Sequence, residues 1–195
     1  MVNFRHKHTS DNQPGRGGEL LSFVSIIMAS FVFALIIAVF IVRFYSVDGP
    51  SMEPTLQNQN KLIVWKLPRT WASITGNQYI PKRGDIIVFN DSDLAACGQP
   101  GTRQLIKRVI GLPGNKIVIN NGIVTVYSKN HPKGFQPDKQ LPYNTNNFIQ
   151  PTTPNMTLTL NSHQLFVLGD NRPVSCDSRI FGPINTDQVV GQVRC

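Results

Sequence analysis

The sequence predicts a mainly β protein that follows a single membrane-spanning helix. Three observations support this prediction. An uncharged apolar run covers residues 20–42, short runs of β-branched and aromatic residues alternate with turn residues after it, and no helical periodicity there extends over a dozen residues. With 195 residues, 41% of them hydrophobic, the chain is long enough to bury one ordinary core.

Residues 20–42 have the length and composition of a transmembrane anchor. As a helix this run would span roughly 34 Å, which is enough for the hydrocarbon core of a bilayer. It is too long for the apolar part of a cleaved signal peptide, and no small-x-small site follows it. Arg5, Lys7 and Arg16 precede it, whereas Arg43 alone follows closely, which favours a cytoplasmic N-terminus.

These observations divide the chain into three parts. We expect a cytoplasmic tail over residues 1–19, the anchor over 20–42, and an exported region over 43–195. Only 15% of residues are charged, and the net charge of +8 suits the surface of an anionic membrane as well as nucleic acid.

Several functional classes lack their sequence signatures. The chain contains no His-Glu-x-x-His motif, no nucleotide-binding Gly-x-x-x-x-Gly-Lys-Ser/Thr loop and no Gly-x-Ser-x-Gly elbow. Three scattered cysteines are too few for a disulfide scaffold or a Cys-rich zinc site. We therefore expect no metal and no cofactor.

Six short runs in the exported region are typical of strands: 61–66, 85–89, 104–110, 116–119, 123–127 and 164–168. Asn121 and Gly122 separate two of these runs and predict a two-residue hairpin turn. Residues 128–160 are rich in Asn, Pro and Thr, which predicts an insertion made mostly of loops. The exported region should therefore form sheets, as a sandwich or a partly closed barrel.

Ser51 is the first candidate for a chemical role. It lies a few residues beyond the anchor in the segment 49–56, where Pro50 and Pro54 restrict the backbone on both sides. Such a segment can present a hydroxyl and a backbone N–H in fixed directions. Taken alone, the segment favours a plain turn.

Lys107 is the second candidate. Strand alternation places it on one face with Leu105 and Val109. If that face is buried, desolvation lowers the pKa of the lysine and makes it a usable general base. The alternative is an ordinary surface lysine beside Arg108.

The segment 169–182 is the third candidate, because charges of alternating sign and two hydroxyls lie close together in it. These residues are Asp170, Arg172, Ser175, Asp177, Ser178 and Arg179. They could form a hydrogen-bonded platform that orients a lysine, or only an ion-paired loop. The exported histidines, His131 and His163, lie in polar sequence typical of a surface.

Four motifs occur in order behind the anchor, at residues 51–56, 83–89, 107–114 and 169–182. Together they make residues 20–192 resemble the bacterial type I signal peptidases, in particular the short members with one anchor. The resemblance implies a β-rich catalytic core, with residues 115–163 as a variable second subdomain.

The resemblance also implies a role for individual residues. Ser51 would be the nucleophile and oxyanion donor, Lys107 the general base, and Gly49 would lack the hydroxyl that some family members use as a second donor. Ser175 would hydrogen-bond the lysine, supported by an Asp177–Arg179 ion pair with Arg108 nearby. Met52, Gln104, Leu105 and Ile106 would bind the substrate, which would add as a strand beside residues 104–107 and place small side chains in shallow pockets.

The implied function is a membrane-anchored serine endopeptidase that removes signal peptides from secreted preproteins after small-x-small sites. Its partners would be these preproteins and the lipid bilayer of the cell membrane, without nucleic acid, and the protein would act as a monomer. A non-catalytic, anchored peptide-binding module of the same fold and a self-cleaving Ser/Lys protease of another function are the alternatives. Pro173, Val174 and Cys176 depart from the family pattern, and a Cys97–Cys176 disulfide is conceivable in an oxidising exterior.

Overall fold

The computed structural model describes residues 16–40, 42–91, 97–98, 101, 103–140 and 149–194. The chain forms two compact units, Met1–Val39 and Phe40–Cys195. Of the first, residues 1–15 lie outside the described residues, so most of the predicted cytoplasmic tail does too.

The first unit contains helix α1 (Arg16–Phe40). Its segment Gly18–Ile36 is long and apolar enough to cross a membrane, by length and composition. The predicted anchor extended too far at its C-terminal end. The helix ends at Phe40, and Val42 already belongs to a strand, because it pairs with Trp65.

The described residues of the second unit form eleven strands. Seven of them are β1 (Val42–Ser46), β2 (Lys61–Trp65), β3 (Ile86–Asp91), β4 (Arg103–Gly111), β9 (Gln164–Leu168), β10 (Ile184–Asn185) and β11 (Val189–Arg194). The other four are β5 (Lys116–Asn120), β6 (Ile123–Ser128), β7 (His131–Phe135) and β8 (Met156–Thr159). Three short helices accompany them: α2 (Leu67–Ile74), α3 (Pro137–Gln140) and α4 (Ser178–Phe181).

These strands make two antiparallel sheets. The larger has the order β1-β2-β11-β3-β4-β9-β10, and the smaller has the order β7-β6-β5-β8. The mainly β prediction is confirmed, and each of the six predicted runs contributes a strand. The smaller sheet lies inside the predicted subdomain 115–163, although the boundaries of that subdomain stay a prediction.

The loop prediction for residues 128–160 is wrong at two places, where β7 and β8 form. The sequence of β7, His-Pro-Lys-Gly-Phe, contains Pro and Gly and no β-branched residue, so propensity gives no strand signal. Pairing with the neighbouring strand β6 decides its conformation. Residues 141–148 lie outside the described residues.

Strand β4 lies at the centre of the core, and both of its faces are covered. Ile106 packs against a cluster that contains Val88 and Val64, whereas Val109 belongs to a cluster with Phe89. A third cluster joins the two sheets, because it combines side chains of β4 and β9 with side chains of β5 and β6. Each fully buried side chain of this size contributes about 1.5–3 kcal/mol. The two charged residues in the covered part of β4, Lys107 and Arg108, are therefore each only 4% exposed.

Candidate active site

Ser51 lies in a turn after β1 that the protein fixes from both sides. Next to it, Met52 is 1% exposed and packs into the core. The backbone N–H of Asn171 donates to the Ser51 carbonyl oxygen at 3.1 Å, and the Asn171 side chain donates to the Pro50 carbonyl oxygen at 3.2 Å. Gly49 has a φ of +95°, which L side chains rarely adopt. Asn171 lies in the segment 169–182 but was not among the predicted site residues.

Lys107 reaches this turn from β4. Its Nζ lies 2.8 Å from Ser51 Oγ and donates to the Ile106 carbonyl oxygen at 3.0 Å. The side chain is 4% exposed. Leu105 and Val109, on either side of it along the strand, pack against one core cluster, as strand alternation predicts. The structure thus brings together the first two candidates, which are 56 positions apart in the chain.

Burial lowers the pKa of Lys107 from 10.5 to about 8, because the charged ammonium loses its hydration. Asp177 and Asp170 act in the opposite direction, since negative charge stabilises the ammonium, and Arg179 lowers the pKa further. A lysine of this kind carries a substantial neutral fraction near pH 8 and can accept a proton.

Arg108, the next residue on β4, forms a buried ion pair with Asp170. The Nε–Oδ1 distance is 2.7 Å and the Nη2–Oδ2 distance is 2.5 Å. Thr55 Oγ1 donates to the same carboxylate at 2.6 Å, and Arg108 Nη1 donates to the Gly84 carbonyl oxygen at 2.8 Å. Arg108 therefore ties the turn that contains Ser51 to segment 169–182. The sequence predicted Arg108 only as a neighbour of the other ion pair, and Thr55 was not among the predicted site residues.

Asp177 and Arg179 form the predicted second pair. Arg179 Nε lies 2.7 Å from Asp177 Oδ1, and Nη2 lies 2.8 Å from Oδ2. Asp177 Oδ2 also accepts the backbone N–H of Gly169 at 3.0 Å, and Arg179 donates to the Ser175 carbonyl oxygen at 3.2 Å. This pair holds the loop around Ser175 against the end of β9.

Ser175 does not make the bond to Lys107 that the resemblance implied. It is 4% exposed, and within the described part of the chain its Oγ has no hydrogen-bond partner. The lysine amine binds the Ile106 carbonyl oxygen instead. The loop is nevertheless close to the turn that contains Ser51. A Cβ at Gly169 would lie 2.5 Å from both Ser175 Cβ and the Ser51 carbonyl oxygen, so only glycine fits between them.

A groove of about 250 Å³ runs past Ser51 and Lys107. All four predicted substrate-binding residues line it: Met52, Gln104, Leu105 and Ile106. Residues 45–49 line the groove too, as do Cys97, Val174 and Cys176. Strand β3 pairs with one edge of residues 103–108, whereas β9 pairs with β4 from Arg108 onward. The described strands therefore leave the second edge of residues 104–107 unpaired.

Cys97 and Cys176, whose pairing the sequence left open, form a disulfide with a Cα–Cα distance of 6.0 Å. His131 and His163 are both exposed, as expected. Within the residues that the structure describes, no group of three His, Cys, Asp or Glu side chains could hold a metal ion.

Comparison with known proteins identifies the family. The family model described as signal peptidase, peptidase S26, matches residues 20–195. The chain belongs to this family. Signal peptidase IB of Staphylococcus aureus is 33% identical over 184 residues, which cover 90% of this chain and 87% of that protein. A probable signal peptidase I-1 of Synechocystis sp. is 31% identical over 170 residues, which cover 86% of this chain and 77% of that protein.

Among solved structures, a signal peptidase I from Enterococcus faecalis matches with a TM-score of 0.41 and 27% identity, over 60% of this chain and all of that one. Family membership assigns signal peptidase I activity, the cleavage of signal peptides from preproteins by a serine peptidase. A membrane-anchored protein fits both this family and helix α1. The non-catalytic peptide-binding alternative has no support.

Gly169→Ala should lower kcat for preprotein cleavage by about 10–100-fold, because its Cβ must displace either Ser175 or the Ser51 carbonyl oxygen. Steady-state kinetics on folded enzyme measure the effect. Gly111→Ala is the matched control, since its Cβ meets Leu160, Ile117 and Phe166 at 2.7–2.8 Å in the core between the sheets. It should lower the melting temperature and leave kcat largely unchanged. Wild-type kcat in folded Gly169→Ala enzyme would show that the close approach is unimportant.

Proposed function

We propose that this signal peptidase cuts preproteins with Ser51 as nucleophile and Lys107 as general base, after small side chains at the −1 and −3 positions. The observation that carries the proposal is the 2.8 Å contact between Lys107 Nζ and Ser51 Oγ, made by a buried lysine whose pKa is lowered to about 8. A nucleophile within hydrogen-bond reach of a base with a suitable pKa is the arrangement that covalent catalysis requires.

The chemistry follows from this pair. Neutral Lys107 takes the proton of Ser51 Oγ as the oxygen attacks the scissile carbonyl carbon, and the oxyanion that forms accepts the Ser51 backbone N–H. Protonated Lys107 then gives its proton to the leaving amine, and the C–N bond breaks to leave an ester on Ser51. The amine that leaves is the new N-terminus of the mature protein. Lys107 next takes a proton from a water molecule as the water oxygen attacks the ester, and it returns that proton to Ser51 Oγ as the ester C–O bond breaks, which releases the signal peptide as a carboxylate. Gly49 supplies no hydroxyl, so any second oxyanion donor must come from elsewhere.

The surrounding polar residues have positioning roles in this proposal. Arg108, Asp177 and Arg179 hold the lysine strand, the nucleophile turn and the Ser175 loop together. The buried, unpartnered hydroxyl of Ser175 supports the family role of binding the Lys107 amine, which we place at the stage when the amine is charged. Ser175 Oγ can accept the hydrogen bond that the ammonium donates.

The groove accounts for the choice of cleavage site. We propose that the preprotein adds as a strand along the unpaired edge of residues 104–107, so that alternate side chains enter the groove. Its small volume, between Met52, Leu105 and Ile106, favours small side chains at −1 and −3.

The bilayer is a second partner in this proposal. Five large apolar side chains on β1, β2 and α2 are exposed: Phe44, Ile63, Trp65, Trp71 and Ile74. Arg43 and Arg69 lie close enough to Lys66 to lower its pKa, after the larger effect of burial. Aromatic side chains beside a basic group suit the headgroup region of an anionic membrane. We place the N-terminus in the cytoplasm and the catalytic region outside, as a monomer.

Ser51→Ala and Lys107→Met should each reduce cleavage of a secretory precursor by at least about 10³-fold, since each removes one half of the reacting pair. Purified full-length enzyme in detergent is incubated with the precursor, and mass spectrometry identifies the cut. Wild-type enzyme should cut after a small-x-small site.

Ser162→Ala and Lys61→Met, which change exposed residues of the same types, are the controls and should retain full activity. Full activity of Lys107→Met would rule out Lys107 as the base. Cutting after large side chains would contradict the proposed role of the groove.

The rate should depend on pH through Lys107. With a pKa of about 8, only about a tenth of the enzyme is in the neutral form at pH 7. The neutral form is active, so kcat/KM should rise about tenfold from pH 6 to pH 7 and level off above pH 8. Circular dichroism at each pH confirms that the enzyme stays folded. A flat profile between pH 6 and 8 would contradict this assignment.

The exposed aromatic side chains should enter the lipid. Trp65 and Trp71 are the two tryptophans of the chain, so tryptophan fluorescence reports on this surface alone. In full-length enzyme reconstituted into anionic vesicles, lipids brominated near the headgroup should quench the emission, and acrylamide in the water should quench it weakly. Trp65→Phe isolates Trp71 as a control. Strong acrylamide quenching without lipid quenching would show that the surface faces water.

A further inference from the structure

The Cys97–Cys176 disulfide lies in the wall of the groove that holds Ser51 and Lys107. We propose that this bond positions the preprotein in the groove, so that the affinity of the enzyme for its substrate depends on oxidation of the two cysteines. The inference rests on the proposed function, because it takes the groove as the preprotein site.

The bond joins two segments that are distant in sequence and that both line the groove. Cys97 belongs to the connection between β3 and β4, and Cys176 belongs to the loop between β9 and α4, 79 positions later. Cys176 is flanked by Ser175 and Asp177, which are both buried, and Val174 is 59% exposed beside it in the groove. The Asp177–Arg179 pair already holds the loop that contains Val174. The effect of the disulfide is therefore to tie the groove lining at Cys97 to that loop.

The groove has two kinds of lining. The unpaired edge of residues 104–107 offers backbone hydrogen bonds, whereas the side of the groove at Cys97, Val174 and Cys176 offers apolar surface. A peptide strand needs both sides at a fixed separation for its alternate side chains to be held. If reduction of the disulfide frees one side, that side must be ordered again each time a peptide binds, and the lost conformational entropy weakens binding.

The reacting pair is held by other contacts. Met52 packs in the core, Asn171 binds the Ser51 carbonyl oxygen, and Lys107 belongs to the central strand β4. Breaking the disulfide leaves each of these contacts in place. The expected effect is therefore on KM, with kcat and the pH profile of kcat retained.

The redox step is simple and reversible. A dithiol reductant such as dithiothreitol supplies two electrons and two protons, the Sγ–Sγ bond breaks to give two thiols, and the reductant is oxidised to its own disulfide. Both cysteines are partly exposed, so a small dithiol can reach the bond. Re-oxidation restores the groove wall.

The experiment measures KM and kcat of full-length enzyme in detergent, oxidised, reduced with dithiothreitol, and re-oxidised. We expect reduction to raise KM by about fivefold with kcat within about twofold, an effect of the size of one lost ordering contact. The Cys97→Ser/Cys176→Ser double variant should match the reduced enzyme and no longer respond to reductant. Cys195→Ser, which removes the third cysteine, is the matched control and should respond like wild type.

A second measurement keeps the test independent of catalysis. Ser51→Ala enzyme binds an intact fluorescent precursor, and its Kd should rise by the same factor on reduction. An unchanged KM and Kd would overturn the inference, and so would a fall in kcat with KM unchanged. Loss of the folded state on reduction, seen by circular dichroism, would also overturn it, because the bond would then only stabilise the fold. A failure of the proposed function would give a different result. Oxidised wild-type enzyme would then cut no precursor, or the Ser51→Ala variant would still cut it.

Discussion

The removal of the Lys107 amine from water is the constraint on which the rest of the active site depends. Lowering its pKa from 10.5 to about 8 corresponds to about 3 kcal/mol of lost ammonium stabilisation. The fold must supply that energy, and it does so by placing the lysine on β4, whose two faces are covered by separate core clusters. Because Ser51 Oγ and the Ile106 carbonyl oxygen accept its hydrogen bonds, the buried amine is not left unpaired.

The two ion pairs beside the amine complete this balance. Asp170 and Asp177 both raise the pKa of Lys107, which opposes its role as a base. Each carboxylate is bound in fork geometry by an arginine, Arg108 or Arg179, which offsets its charge. Buried ion pairs contribute little net stability, so their value here is geometric. They hold the Ser51 turn, strand β4 and the Ser175 loop at fixed distances. Because each carboxylate is paired with an arginine, they do so without raising the pKa of Lys107 back to its usual value.

Local pattern in the sequence was enough to predict most of the sheet. The prolines around Ser51 and the alternation of β4 made Ser51 and Lys107 candidates, but each signal alone was weaker than its plain structural alternative. The four motifs in order decided in favour of these two residues, whose side chains lie 2.8 Å apart in the structure. The partner of Arg108 was not predictable, because Asp170 lies 62 positions away and several carboxylates were available. Strand β1 was hidden by the apolar run that continues into it, and β7 by its Pro and Gly. Pairing with another strand decides both of these features, and contact between distant segments decides the Cys97–Cys176 bond.

A pKa near 8 is a compromise between the amount of base and its strength. At pH 7 a lysine with a pKa of 10.5 is neutral about once in 3,000 molecules, whereas a pKa of 8 makes it neutral about once in ten. Further burial could increase the fraction of neutral amine by at most about another tenfold. Each further unit by which the pKa of Lys107 fell would make the amine a weaker base toward Ser51 and would lower the stability of the fold around β4. In the proposed mechanism, Lys107 must also hold the proton long enough to deliver it to the leaving amine. The arginines offset only part of the effect of the Asp170 and Asp177 carboxylates. The remaining effect keeps the pKa of Lys107 from falling further.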